Sequence, residues 1–153
     1  MHATLSQEGV DNDDGSAYYK THDNFLVYGA QGIKNDFGGH DNHHFDNIYA
    51  YVGRGLGVCS QLKGHEDYFY SNKVVLTGTD VGQFRCTSDD EHGFGKTIVH
   101  DNSYYTATGN VTECGTTLDK WQAMGADHDS GSVVAPYPKD DVVIGWARAK
   151  LGF

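Results

Sequence analysis

Basic residues, proline, cysteine and long apolar runs are all scarce in this chain, and each shortage excludes something. No run of about 18 apolar residues exists, so no segment reads as a membrane-spanning helix. Lys and Arg number 11 against 21 Asp and Glu, a formal charge of −10. With no basic patch to override it, that field repels nucleic acid and anionic membrane surfaces. Three cysteines occur without a CxxC pair or a Cys/His zinc spacing, which argues against a structural zinc site. Two prolines, set against 20 glycines and ten tyrosines, fit a turn-rich β protein rather than a helical bundle. The 153 residues read as one domain, long enough to bury a core.

The opening Met1-His2-Ala3-Thr4-Leu5-Ser6-Gln7 lacks the apolar centre of a signal peptide. Yet Asn110-Val111-Thr112 is an N-glycosylation sequon, and with the cysteines it points to an extracellular protein. The two facts agree if the numbering starts after processing or the chain is part of a larger secreted one. Cys59, Cys86 and Cys114 lie one repeat apart in succession. One disulfide is expected, Cys59–Cys86 or Cys86–Cys114, and the spacing does not choose between them.

What is abundant is internal repetition. Gly39-His40-Asp41-Asn42-His43-His44-Phe45-Asp46-Asn47 recurs 25 residues later as Gly64-His65-Glu66-Asp67-Tyr68-Phe69-Tyr70-Ser71-Asn72. Gly32, Gly57 and Gly82 keep the same interval. A period in the twenties, written in Gly, Asn, aromatic and β-branched residues, predicts a strand-based solenoid.

Asn24, Asn47, Asn72 and Asn102 each open a short strand: Phe25-Leu26-Val27-Tyr28, Ile48-Tyr49-Ala50-Tyr51-Val52, Lys73-Val74-Val75-Leu76 and Ser103-Tyr104-Tyr105. Stacked at about 4.8 Å per strand, these asparagines can form a hydrogen-bonded ladder, and Asn tolerates the left-handed backbone of a tight turn. In that register His22, Phe45, Tyr70 and His100 form one column. Val27, Ala50, Val75 and Tyr105 form another, the better candidate for the core. Before the repeats, Asp11-Asn12-Asp13-Asp14-Gly15 reads as a turn, with a strand starting at Ser16. Ser88-Asp89-Asp90-Glu91-His92-Gly93 reads as an inserted surface loop in the longest repeat. A short helix is expected over 116–125 and a terminal helix over 138–151. Asp140 caps the latter, and Val143, Trp146, Ala147 and Leu151 share one face. That helix would cover the last rung of strands over 11–115.

Asn12-Asp13-Asp14-Gly15-Ser16, Lys34-Asn35-Asp36-Phe37-Gly38-Gly39-His40-Asp41-Asn42, Gly64-His65-Glu66-Asp67 and Trp146-Ala147-Arg148 resemble secreted right-handed parallel β-helix proteins of the pectate-lyase-like superfold. The match is to the C-terminal half of an algal and protist family of unsettled activity, from about residue 11 onward. The resemblance implies an all-β fold: a right-handed parallel β-helix of four to five rungs with an Asn ladder and a C-terminal capping helix. Members usually have more rungs and an N-terminal helix over the first. Neither is read here, which leaves an open strand edge.

The resemblance also implies chemistry on acidic polysaccharide, by a lyase or a glycoside hydrolase. The repeat sets His40 beside His65, Asp41 beside Glu66, and Asn42 beside Asp67. Asp41, Glu66 and Asp67 would then hold calcium as a cofactor. Lys34, Lys63 or Arg85 would act as the base, while His40, His65 and Arg54 bind substrate. Paired acids such as Asp41 and Glu66 would serve an inverting hydrolase instead. The plainer reading of this segment is a hydrogen-bonded turn ladder, and of Tyr49, Tyr51, Tyr68 and Tyr70 an aromatic ladder rather than a sugar platform. Two functions follow: a secreted carbohydrate-active or carbohydrate-binding protein whose partner is a glycan, or an extracellular subunit that self-assembles by end-to-end stacking.

Overall fold

The computed structural model describes residues 7–35, 38–58, 64–83, 97–113, 115–123 and 133–153. The chain begins with β1 (Glu8–Asn12), β2 (Lys20–His22), β3 (Phe25–Asn35), β4 (His43–Phe45) and β5 (Ile48–Val58). It continues through β6 (Asp67–Tyr70), β7 (Lys73–Leu76), β8 (Gly82–Gln83), β9 (Thr97–His100) and β10 (Ser103–Thr106). It closes with β11 (Thr112–Glu113), β12 (Thr116–Thr117), α1 (Leu118–Ala123), β13 (Val133–Pro136) and α2 (Asp140–Leu151).

The fold is mostly β, in two parallel sheets and one small antiparallel pair, β11-β12. The first runs β1-β3-β5-β7-β10-β13, with β8 also beside β5. The second runs β2-β4-β6-β9. Parallel neighbours need a crossover, and from β1 to β10 each crossover of the first sheet passes through the second, whereas the last, β10 to β13, runs by way of β11, β12 and α1. The turn at Asp14 and Gly15 forms as expected, held by Ser16 N–H to the Asp13 carbonyl at 3.1 Å. The strand expected from Ser16 shrinks to a single bridge, Ala17 with His40, because Tyr18 takes a left-handed φ of 63°.

The asparagine ladder is present. The Asn24, Asn47 and Asn72 backbone N–H groups each donate to the side-chain oxygen of the next ladder asparagine, at 3.1, 3.0 and 3.0 Å. The same oxygens take the side-chain amides at 3.1–3.2 Å. The left-handed residue is not the asparagine but the one before it: Asp23, Asp46, Ser71 and Asp101 all have φ of 53–56°. A short polar side chain supports that conformation, which leaves the asparagine free to bond along the stack.

The apolar core lies between the sheets. Leu26, Tyr49, Val74 and Tyr104 are in register on the first sheet, and Tyr49 stacks on Phe69 of the second with centroids 5.7 Å apart. The column expected to be core, Val27, Ala50, Val75 and Tyr105, is in register but is not part of that cluster. Strand alternation puts it on the opposite face of the sheet, where α2 covers it.

That is where α2 departs from expectation. Instead of closing off the last strand, it lies across the outer face of the first sheet. The Tyr51 hydroxyl donates to Asp140 at 3.0 Å, the Trp146 ring sits 5.3 Å from Tyr105 with the Lys73 ammonium over it, and Lys150 pairs with Asp23. Val143 is buried in that contact. The N-cap is Lys139 rather than Asp140, whose carboxylate serves the Tyr51 hydroxyl. Cys59, Cys86, Cys114 and the loop Ser88–Gly93 lie outside the described residues, and with them the disulfide.

Candidate functional site

The repeated Gly-His-acid segment builds one compact group. Asp41 takes a left-handed φ of 54°, and Asn42 anchors the turn by donating to the Ser16 carbonyl at 2.9 Å. Held there, Asp41 Oδ2 accepts from His40 Nδ1 at 2.8 Å and from His65 Nδ1, one repeat on, at 2.7 Å. The two rings lie 4.7 Å apart, and Tyr18 packs edge-on against His40. Those two hydrogen bonds hold the Asp41 carboxyl below the usual carboxylate range. All three side chains are partly open to solvent, at 17% for His40, 25% for Asp41 and 41% for His65.

A His followed by a left-handed Asp recurs at His22–Asp23 (2.8 Å) and His100–Asp101 (2.7 Å). The pair alone is therefore turn architecture. Only at Asp41 does a second histidine join it among the described residues.

Beside this group lies the outer face of the second sheet. His22, Phe45, Tyr70 and His100 stack in a column with centroids 4.9, 5.1 and 4.9 Å apart and planes within 12°. His43 stacks on Tyr68 at 4.2 Å, and Lys20 precedes His43 in that register. Burial, and then the Lys20 charge, keep the His43 imidazole below its ordinary value. Ring faces are thus consumed within the columns, so a ligand would meet ring edges, phenol hydroxyls and imidazole nitrogens. Of the other tyrosines, Tyr49 is wholly in the core and Tyr51 stacks on Tyr28 beside α2.

The remaining expected site residues are dispersed. Lys34 pairs with Asp11 at 3.1 Å and Arg54 with Asp80 at 2.7 Å, both on the first sheet. Asp67 is turned inward, 1% exposed, and its Oδ1 accepts the Asn42 N–H at 2.9 Å as a ladder residue. Burial pushes its carboxyl up to about 6, against the pull of the Asn42 N–H and nearby amides. Nearby, His44 is buried and bonded to Asn35, which also accepts from Asn12 at 2.9 Å. Burial drives the His44 imidazole down to about 3, so it stays neutral. Glu66 is half-buried and is not part of the His40, Asp41 and His65 group. Lys63 and Arg85 lie outside the described residues. Asn110 of the sequon is exposed, in a turn tied by the Thr106 hydroxyl to its carbonyl at 2.9 Å.

No family model, curated protein or solved structure matches the chain. The site must therefore be read from its own chemistry. Sequence reasoning missed Lys20 and His43 as surface residues. Their signal was available, because the 23-residue register that aligns His22 with Phe45 also aligns Lys20 with His43.

Proposed function

We propose that the chain is a right-handed parallel β-helix that binds carbohydrate across the outer face of β2, β4, β6 and β9. The observation that carries this reading is the pair of aromatic and histidine columns on that face, with hydroxyls and ring nitrogens repeating at one-strand spacing. Such a surface suits a chain of sugars laid across the strands, one hydrogen-bonding position per unit, with Lys20 and the His40, Asp41 and His65 group at its margin. The two sheets joined by crossovers, the Asn ladder and the resemblance noted above support the β-helix reading. A secreted protein and an acidic glycan fit the sequon and Lys20. Binding is favoured over cleavage because Lys34 and Arg54, expected as base and substrate clamp, are held in ion pairs on the other sheet, away from the columns. Calcium would need Glu66 and the open carboxylate oxygen of Asp41, since Asp67 faces inward.

Affinity electrophoresis through gels containing polygalacturonate, alginate, xylan or β-glucan tests this. Retardation by at least one glycan, abolished in a Tyr68→Ala, Tyr70→Ala double variant that keeps the native circular dichroism, is the expected result. Equal retardation of the variant, or none with any glycan, would contradict it.

A second reading is end-to-end assembly, favoured by the two ends of the first sheet. Among the described residues β1 and β13 each have one neighbour, and every pairing between them is parallel. A second copy could therefore extend the sheet by translation, giving an open, non-closing contact. Light scattering that shows mass growing with concentration would favour it.

A further inference from the structure

We infer that His40, Asp41 and His65 form a binding site for a borderline divalent transition-metal ion of the zinc type, independent of any glycan. One ligand atom from each residue already lies within 4.8 Å of the other two. Two imidazole nitrogens converge on one carboxylate oxygen at 2.7 and 2.8 Å. In a tetrahedral zinc site with bonds near 2.0–2.1 Å, neighbouring ligand atoms stand about 3.3 Å apart, so the two N–O contacts would open by about half an ångström and the two nitrogens, within 4.8 Å of each other, would settle to the same spacing.

The comparison within the molecule separates this group from plain turn structure. His22–Asp23 and His100–Asp101 reproduce the His40–Asp41 pair at the same bond length, so that pair needs no ligand to explain it. His65 is what turn geometry does not require. Glu66 replaces the left-handed Asp that would otherwise partner it, and His65 reaches back one repeat to Asp41. Two nitrogens and one oxygen select zinc, nickel, cobalt or copper over calcium and magnesium, which prefer all-oxygen shells. The partial exposure of all three side chains leaves room for water to complete the shell, and the net charge of −10 draws cations in. A carboxylate oxygen only accepts, so each Nδ1 points its N–H at Asp41, and a metal on Nδ1 would move that hydrogen to Nε2.

The test uses the full chain and cobalt(II) as probe, followed by absorption, with zinc competing. Expected is one equivalent bound with visible d–d bands, no thiolate charge-transfer band, displacement by zinc and none by calcium. His65→Ala should weaken binding at least about tenfold, and His65→Phe, which keeps the ring against His40, should do the same. His100→Ala should leave it unchanged. Absence of binding, a thiolate band from the cysteines, displacement by calcium, or native affinity retained in the His65 variants would overturn the site.

Discussion

A carboxylate stands at position 67 where the preceding repeat has Asn42, and the mismatch has a measurable cost. Both residues accept a backbone N–H from the repeat before, Tyr19 onto Asn42 and Asn42 onto Asp67. Asparagine does this without charge. Asp67 is neutral in both folded and unfolded chains below its ordinary value of 3.8, and ionised in both above about 6. Its folded value is raised, so stability from this group is highest in acid and falls as pH rises from 3.8 to about 6. Asp67→Asn should therefore stabilise the fold at pH 7.5, by up to about 3 kcal/mol at 1.36 kcal/mol per unit, and bring no gain at pH 3.5. His44 acts in the opposite sense. Its folded value is depressed from 6.5 to about 3, so it costs stability as pH falls below 6.5. Thermal melts of Asp67→Asn from pH 7.5 to 4 should unmask that acid destabilisation, which Asp67 offsets in the native chain. The alignment of Asn42 with Asp67 was legible in the sequence. The direction of Asp67 was not, because His65, Glu66 and Asp67 are consecutive polar residues, and strand alternation leaves no mark on such a run.

At the scale of elements, the ladder and α2 do different work. Asn72 has two ladder N–H donors on its oxygen and gives its amide to the His44 carbonyl at 3.0 Å and to Asn102. It is buried, so Asn72→Ala strands several polar groups in the interior and should cost about 2–4 kcal/mol in denaturant unfolding. Asn24 ends the ladder and is exposed, and Asn24→Ala should cost no more than about 1 kcal/mol. Ending the chain before Asp140 should uncover Ile48, Ala50 and Val75, all buried on or beside the face that α2 crosses. Light scattering should then show association at concentrations where the full chain does not associate. The helical period of α2 was plain from Val143, Trp146 and Ala147. What it packs on was hidden, because Leu26-Val27, Tyr49-Ala50 and Val74-Val75 are apolar on both faces of their strands. A strand covered on both sides reads as a continuous apolar run, with no sign of which side is core.

Across the whole molecule, the register of 23, 25 and then 30 residues predicted the parallel stacking, the ladder and the stacked aromatic column together, because the same three intervals govern all of them. It could not say what the columns are for. Ring stacking within a sheet and ring stacking on sugar use the same residue types, and only the interplanar angles reveal that the faces are already occupied. The strong negative charge adds a whole-molecule expectation: it repels an acidic glycan, so binding to one should strengthen as added salt screens that repulsion, whereas binding to a neutral one should not change.

The measurement that tests the carbohydrate-binding face most directly is a chemical-shift map of the ¹⁵N-labelled chain titrated with the glycan that retards it best. Perturbations should gather on Lys20–His22, His43–Phe45, Asp67–Tyr70 and Thr97–His100 and leave α2 unmoved. Shifts confined to α2 and the groove beside it, or to β1 and β13 at the ends of the first sheet, would contradict the account.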